Sequence, residues 1–432
     1  MLQTLRNAWK IPELRKKFLF TILLLVVFRF GSVIPVPWID TTALKAWMNQ
    51  GGNGTTLFDL LDTFSGGAFS QATIFAMSIS PYINSSIIMQ LLCVAIPALE
   101  RMSKEGEEGR KKITAITRIL TVVLAAVQAY GLYVTLYNKG AIMTVSGISP
   151  TVVMITIILS FTAGTAFLMW LGEQITGRGI GNGISMIIFA GIVSSVPSML
   201  RSAWVNFGNA QQWYMLVFLA IFAIASIVFV ILINQGERRI PVQYAKRVVG
   251  RKMYGGQNSN IPIKVAMAGV MPIIFAMSIL SFPGTLVQLF ASNDPNSWLV
   301  KVTTFITDGW IYPTLYFLLI VGFTYFYTSI SFNPIEVSNN IKTNNGMIPG
   351  LRPGKPTTDY ISKVLSRITF IGSICLAIIA VLPIVITMIT GTQIAALSLT
   401  GTSLLIVVGV ALETVKEVES QMLMRHYKGF LE

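Results

Sequence analysis

Residue types that carry enzyme chemistry are scarce in this 432-residue sequence. The only histidine, His426, lies in the C-terminal tail, so the sequence offers no zinc cluster and no serine–histidine pair. Cys93 and Cys375 lie in separate apolar runs without metal-ligand spacing, which indicates two core residues and no disulfide. The glycine-rich run Gly177–Gly183 lacks the strand and the Lys-Ser/Thr pair of a phosphate loop, so it predicts a tight turn. The sequence therefore predicts no enzyme, no metal site and no cofactor.

The most unusual polar groups lie within an apolar stretch, Gly66–Leu92. Each polar group in a membrane helix must find a partner, because water is absent there. Ile79, Ile83 and Ile87 recur every four residues, so they share one helical face. The pattern predicts either a helix that lines a path or a buried helix whose hydroxyls and amides join its neighbours. The polar members are Ser78, Ser80, Asn84, Ser85, Ser86 and Gln90.

The elements that must position these residues are membrane helices. Hydrophobic residues make up 53% of the chain, charged residues only 12%, and the mean hydropathy of +0.68 indicates a polytopic membrane protein. Spans of about 20 apolar residues are needed to cross a bilayer. The sequence predicts ten: Phe18–Ile34, Ala72–Ile96, Ile113–Leu136, Thr151–Trp170, Gly183–Met199, Trp213–Ile233, Val265–Leu289, Trp310–Ile330, Ile368–Ile389 and Ile394–Leu412.

The lysines and arginines predict the orientation of these spans. Of the 32, 26 fall on one side of the predicted membrane and four on the other, so both termini are predicted to be cytoplasmic. Arg118 lies near the cytoplasmic end of span three and can snorkel. Arg29 lies deeper in span one, and the sequence gives it no role. The predicted spans contain no carboxylate, which disfavours an ion-coupled transporter but leaves a uniporter lined by Ser, Asn and Gln open.

Ten spans divide into an N-terminal half, residues 1–205, and a C-terminal half, residues 206–432. An odd number of spans in each half forces opposite orientations, which predicts an inverted structural repeat. Two long cytoplasmic loops, residues 234–264 and 331–367, carry 12 basic residues between them. The first alternates apolar and basic residues as short strands do, and the second presents Arg352 from a Pro/Gly turn. They predict a docking platform for an acidic partner, with topological signals or anionic-lipid contacts as the alternative.

Seven segments in order along the chain resemble the SecY family, whose members are the channel subunit of the bacterial Sec preprotein translocase. They are SPYINSSIIMQLL, ITGRGIGNGIS, GERRIPVQYAKR, AMAGVMPIIFA, FNPIEVSNN, IPGLRPGKPT and GTSLLIVVG. The resemblance covers essentially the whole chain. It implies an all-α polytopic fold of ten transmembrane helices in two inverted five-helix halves, located in the bacterial cytoplasmic membrane. It also implies a short re-entrant plug helix.

The resemblance also implies which residues act. An apolar pore ring would be formed by Ile79, Ile83, Ile184, Ile188, Ile274 and Ile406. The plug would comprise Leu57–Ser70, with Leu57, Asp59, Leu60 and Phe64 in its helix and Gly66 and Gly67 as a hinge. A lateral gate would carry Asn84, Gln128 and Ser278. Partner docking would use Lys246, Arg247, Arg251, Lys252 and Arg352.

The function that the resemblance implies is passive translocation of unfolded, signal-bearing preproteins and lateral insertion of membrane segments. Since the chain shows no nucleotide site, the energy would come from the SecA ATPase or a translating ribosome. The small membrane subunits SecE and SecG and membrane lipids, anionic ones included, would surround the helices. Two alternatives remain: a small-solute secondary transporter with inverted repeats, and a scaffold that only recruits partners through its basic loops.

Overall fold

Helices dominate the computed structural model, which describes residues 8–50, 65–143, 147–208, 213–244, 247–249, 252–254, 258–290, 297–307, 309–390 and 395–428, with Arg6 and Asp62 besides. The helices are α1 Pro12–Gly31, α2 Thr41–Gln50, α3 Ser80–Ala95, α4 Pro97–Lys104, α5 Glu107–Asn138, α6 Pro150–Arg178, α7 Gly183–Gly208, α8 Trp213–Gln235, α9 Met271–Phe290, α10 Trp298–Thr307, α11 Ile311–Ser331, α12 Pro334–Thr343, α13 Lys355–Thr390 and α14 Ala395–Lys428.

Each of the ten predicted spans overlaps one of these helices, namely α1, α3, α5, α6, α7, α8, α9, α11, α13 and α14. Among the described helices, four meet the length and apolar composition needed to cross a bilayer, or five if α3 and α4 together form one broken span. These two helices are bent by 102° where Pro97 follows the extended residue Ile96, because the residue before a proline avoids helical geometry. The count of ten crossings stays a prediction.

The start of the second predicted span differs from the expectation. The span was predicted as helix from Ala72, but the helix begins only at Ser80, and residues 66–79, here called the turn segment, form consecutive turns. Ala72 and Ser78 have positive φ angles of 48° and 52°, which a helix cannot contain. Backbone of this kind is tolerated at membrane depth only where protein surrounds it. Accordingly, the apolar residues of the turn segment from Ala68 to Ile79 are almost all buried.

Two glycines allow the turn segment to approach its neighbouring helices closely. A side chain at Gly164 of α6 would lie 2.1 Å from the Ile74 carbonyl oxygen, and one at Gly31 of α1 would overlap the ring of Phe75. Backbone hydrogen bonds from Ile74 N to Ile34 O (3.0 Å) and from Val36 N to Ala72 O (2.9 Å) join the segment to the residues that follow α1. The segment that leads into α3 is therefore fixed by α1 and α6.

Short strands follow α8, as the alternation of apolar and basic residues predicted. Strands β1 Glu237–Tyr244, β2 Arg247–Val249, β3 Lys252–Tyr254, β4 Asn258–Lys264 and β5 Gly346–Met347 form two sheets. In the larger sheet, β1 pairs antiparallel with β4 on one side and with β5 on the other. Its buried residues, which include Ile240, Val242 and Ile263, pack with Ile361 of α13 in a separate hydrophobic cluster. This cluster anchors both long loops to the N-terminal part of α13.

The first and last described helices meet at one end of the molecule. Leu14 at the start of α1 and Val418 near the end of α14 belong to one small buried cluster. Lys17 donates a hydrogen bond from Nζ to Gln421 Oε1 at 3.0 Å. The two ends of the described chain therefore lie on the same side of the bundle.

Arg118, whose snorkelling stays a prediction, forms an ion pair with a residue of the neighbouring helix α6. Its Nε donates to Glu173 Oε1 at 2.7 Å, and the two side chains are 51% and 22% exposed. The ion pair was not predicted, because the fourth span was predicted to end at Trp170, whereas α6 continues to Arg178. The pair links α5 to α6.

Candidate functional site

The six isoleucines of the predicted pore ring, here called the collar, all belong to the largest hydrophobic cluster. Ile79, Ile188 and Ile406 are only 1%, 3% and 1% exposed, and the other three are half-buried against the same cluster. They come from four helices of both predicted halves: α3 with its preceding residue Ile79, α7, α9 and α14. Side chains up to 327 positions apart in the sequence thus lie in one apolar cluster.

The turn before α7 determines how this helix packs against the cluster. The glycine-rich run forms the predicted turn, with Gly181 at φ 76° and α7 starting at Gly183. Asn182 caps the helix, since its Oδ1 accepts a hydrogen bond from Ile184 N at 3.1 Å. A side chain at Gly183 would lie 1.9 Å from the Gly172 carbonyl oxygen, so only glycine permits this approach of α6 and α7. The turn thereby fixes where the collar residues Ile184 and Ile188 lie.

The predicted gate residues lie on three helices that pack against one another. Asn84 is on α3, Gln128 on α5 and Ser278 on α9, and all three side chains are half-buried. Helix α5 packs against both α3 and α9, and α3 also contacts α9. The structure therefore brings the three helices together, and a gating role of the three side chains stays a prediction.

A cleft of about 890 Å³ opens between α3, α4, α5 and the end of α11. None of the three predicted gate residues lines it. The cleft is lined instead by one face of α3, whose residues lie about one, two or three helical turns beyond Tyr82. They are Tyr82 itself, Ser86, Met89, Gln90 and Cys93. Ser86 and Gln90 stood out as polar residues in the sequence, and their four-residue spacing is the signal that could have identified this face.

Charged residues of α4 and α5 lie at the mouth of this cleft. Glu100, Lys104 and Arg110 line it, and Lys104 Nζ lies 2.6 Å from Glu100 Oε1. The hydrogen bond from Lys104 lowers the pKa of the Glu100 carboxyl below its usual value. The cleft thus combines a charged mouth with walls that carry apolar and uncharged polar side chains.

Most of the predicted plug lies outside the described residues, including Leu57, Asp59, Leu60 and Phe64. The predicted hinge is described: Gly66 and Gly67 both have positive φ angles, of 69° and 84°. Gly67 N donates to Asp62 O at 2.8 Å, and Ser70 N donates to Asp62 Oδ1 at 2.7 Å. The hinge residues thus adopt a defined turn.

Arg352 is exposed on a constrained loop. Gly350 and Gly354 flank it with φ angles of 83° and 110°, and Thr357 Oγ1 donates to the Arg352 carbonyl oxygen at 2.9 Å. Of the other predicted docking residues, Arg247 and Lys252 lie in the paired strands β2 and β3, whereas Lys246 and Arg251 fall outside the described residues. A rigid backbone that holds an exposed guanidinium suits recognition of a carboxylate or phosphate.

Across the described ranges, no group of three or more His, Cys, Asp or Glu residues could hold a metal ion. The features that remain are the collar, the cleft and the exposed loops.

Comparison with known proteins supports one family. The SecY family model matches residues 73–415. The SecY protein translocase subunit of Thermotoga maritima is 44% identical over 437 aligned positions, covering 100% of this chain and 98% of the relative. The corresponding subunit of Bacillus subtilis is 45% identical over 440 positions, covering both chains completely.

Solved structures with the same fold include a protein-conducting channel, with a TM-score of 0.63, 18% identity and 96% coverage of both chains. Sec61 in a canine ribosome–channel complex has a TM-score of 0.61, 17% identity and the same coverage. At these identities the structural likeness establishes the fold alone. It confirms the predicted all-α membrane architecture, while the sequence relatives decide the family. The chain belongs to the SecY family.

Proposed function

We propose that this chain is the central subunit of a channel that conducts unfolded preproteins across the bacterial cytoplasmic membrane and releases apolar segments sideways into lipid. The observation that carries the proposal is that all six isoleucines, from four helices, lie in or against one large hydrophobic cluster. The names of the relatives, protein translocase subunits, support the same function.

The chemistry of an isoleucine collar suits this task. A narrow apolar constriction excludes water and therefore resists ion flow when no chain passes. Apolar contacts are non-directional, so the collar can yield around a passing chain without demanding a particular sequence. A binding site for one small solute needs instead a few polar groups placed to fix its orientation.

The lateral exit is assigned to the seam between α3 and α5 on one side and α9 and α11 on the other. Asn84, Gln128 and Ser278 lie on helices that pack across this seam. Hydrogen bonds between polar side chains in membranes are weak, about 0.6 kcal/mol each on average. An apolar signal helix can therefore compete with them, and the cleft beside α3 gives it a place to begin.

We assign the energy source and the partners to the cytoplasmic face. Both ends of the described chain lie on one side of the bundle, as cytoplasmic termini require. Arg352, with Lys246, Arg247, Arg251 and Lys252, would dock an ATPase motor of the SecA type or a ribosome, whose acidic surfaces suit basic loops. Small subunits of the SecE and SecG type and membrane lipids, anionic ones included, would cover the apolar outer faces, where residues such as Phe30 are 75% exposed.

Reconstitution tests this function. The chain is assembled with SecE and SecG in vesicles, and a signal-bearing precursor, SecA and ATP are added. We expect the precursor to become protected from protease, and a precursor without its signal to stay accessible. Saturable uptake of a small solute by the purified chain, without precursor protection, would favour the transporter alternative. Partner binding without either activity, even after removal of residues 57–70, would favour the scaffold.

A further inference from the structure

Arg29 is the one basic residue to which the sequence gives no role, and its contacts are specific. Its Nη1 donates to the Gly66 carbonyl oxygen at 3.0 Å and to Ser194 Oγ at 3.3 Å. Ser194 Oγ in turn donates to the Gly191 carbonyl oxygen at 2.8 Å. One guanidinium on α1 therefore joins the first residue of the turn segment to α7.

Gly66 is held at this junction by shape as well as by hydrogen bonding. A side chain there would lie 2.2 Å from Ser194 Oγ and 2.9 Å from the Gly191 carbonyl oxygen, and its φ of 69° also favours glycine. Arg29 Nη1 contacts Gly66 O and Ser194 Oγ at the same time, so a movement of Gly66 away from α7 would break at least one of these two hydrogen bonds.

Both segments that meet at the junction, α7 and the turn segment, also contain collar residues. Ser194 is six residues beyond Ile188 on α7, and the turn segment that starts at Gly66 ends at Ile79. The guanidinium uses two neutral oxygen acceptors, a carbonyl and a hydroxyl, within a predicted span. Charged groups in membranes are costly unless such partners satisfy them, so separation of the junction leaves a charge poorly satisfied.

We propose that Arg29 is a positioning residue for the closed channel: it holds the turn segment against α7, so that the collar stays sealed until a chain enters. This proposal rests on the proposed channel function. The opening of the collar then requires the Arg29–Gly66 contact to be released, and its loss shifts the resting equilibrium toward the open state.

The test uses Arg29→Gln in the chain assembled with its small subunits in planar bilayers, without precursor. We expect a resting ion conductance about tenfold above that of the unmodified chain, which corresponds to a shift of about 1.4 kcal/mol in the opening equilibrium. Ser194→Ala removes one of the two acceptors and is expected to raise the conductance less. Arg29→Lys keeps a charged donor and is expected to restore most of the seal.

A labelling experiment separates positioning from general loss of stability. Ser65 is fully buried; its Oγ donates to Asp62 O at 3.0 Å and accepts a hydrogen bond from Phe69 N at 3.2 Å. In a chain with Cys93 and Cys375 replaced by alanine, Ser65→Cys should react slowly with a membrane-impermeant maleimide. Adding Arg29→Gln should speed this labelling. Lys139→Gln, which removes an exposed cation elsewhere, should change neither labelling nor conductance.

Unchanged conductance and labelling in Arg29→Gln would overturn the proposal. If that variant does not assemble, Ser194→Ala decides: a wild-type conductance there overturns the proposal equally. Failure of the unmodified chain to translocate precursor would contradict the proposed function instead, so the two failures are distinguishable.

Discussion

Replacing both Ile83 and Ile188 with asparagine is expected to raise the resting ion conductance of the assembled channel about tenfold or more, a change of about 1.4 kcal/mol or more in the cost of a conducting state. Both side chains pack in the same apolar cluster, from α3 and α7. An amide at each position can hold water by hydrogen bonding, and a constriction that holds water no longer blocks ions. Planar-bilayer recordings without precursor measure the effect.

Matched variants on the same two helices control for the added polarity. Leu91 of α3 and Val193 of α7 are 36% and 42% exposed and lie outside the collar. Leu91→Asn and Val193→Asn together should leave the conductance unchanged. A leak of equal size from the outer pair, or no leak from the inner pair, would contradict the sealing role of the collar.

Reversal of charge at Arg352 is expected to reduce SecA-driven translocation about tenfold or more, since like charges opposed at an interface cost several kcal/mol. The side chain is exposed, while Thr357 Oγ1 holds its backbone carbonyl at 2.9 Å. Arg352→Glu should therefore alter the surface without altering the loop. The measurement compares precursor protection in vesicles that contain equal amounts of wild-type and variant chain.

Lys301→Glu provides the control for this charge change. Lys301 is equally an exposed cation, but it lies on the face predicted to be external. We expect wild-type translocation from this variant and normal membrane insertion from both. Full export by Arg352→Glu would exclude Arg352 from the docking surface.

Local signals in the sequence locate most of the fold. Apolar length places the ten spans on helices, and alternation places the strands after α8. The start of the second span was wrong because Ala72 and Ser78 have positive φ angles, in a segment whose Ile74 and Phe75 pack closely against α6 and α1. Hydropathy is high in this turn segment because the segment is buried, and hydropathy alone does not distinguish buried turns from helix.

In the candidate site too, features that depend on neighbouring residues were predictable, whereas contacts between residues far apart in the sequence were not. The six isoleucines were chosen by resemblance to a family. Ile274 and Ile406 have no partner at helical spacing, so the sequence pattern alone did not predict that they share a cluster with the other four. Arg29 had no interpretation because its acceptors lie 37 and 165 positions away. The four-residue spacing of Ser86 and Gln90 could indicate the polar face of α3. No sequence pattern indicates that Tyr327 of α11 lines the same cleft.

The most direct test of the account uses a precursor arrested in the assembled channel and a photo-crosslinking amino acid placed at Ile188 or at Val193 of α7. Ile188 is buried in the collar cluster, whereas Val193 is exposed on the same helix. We expect crosslinks to the arrested precursor from position 188 and none from position 193. Crosslinks from position 193 alone would place the polypeptide path outside the collar and contradict the central claim.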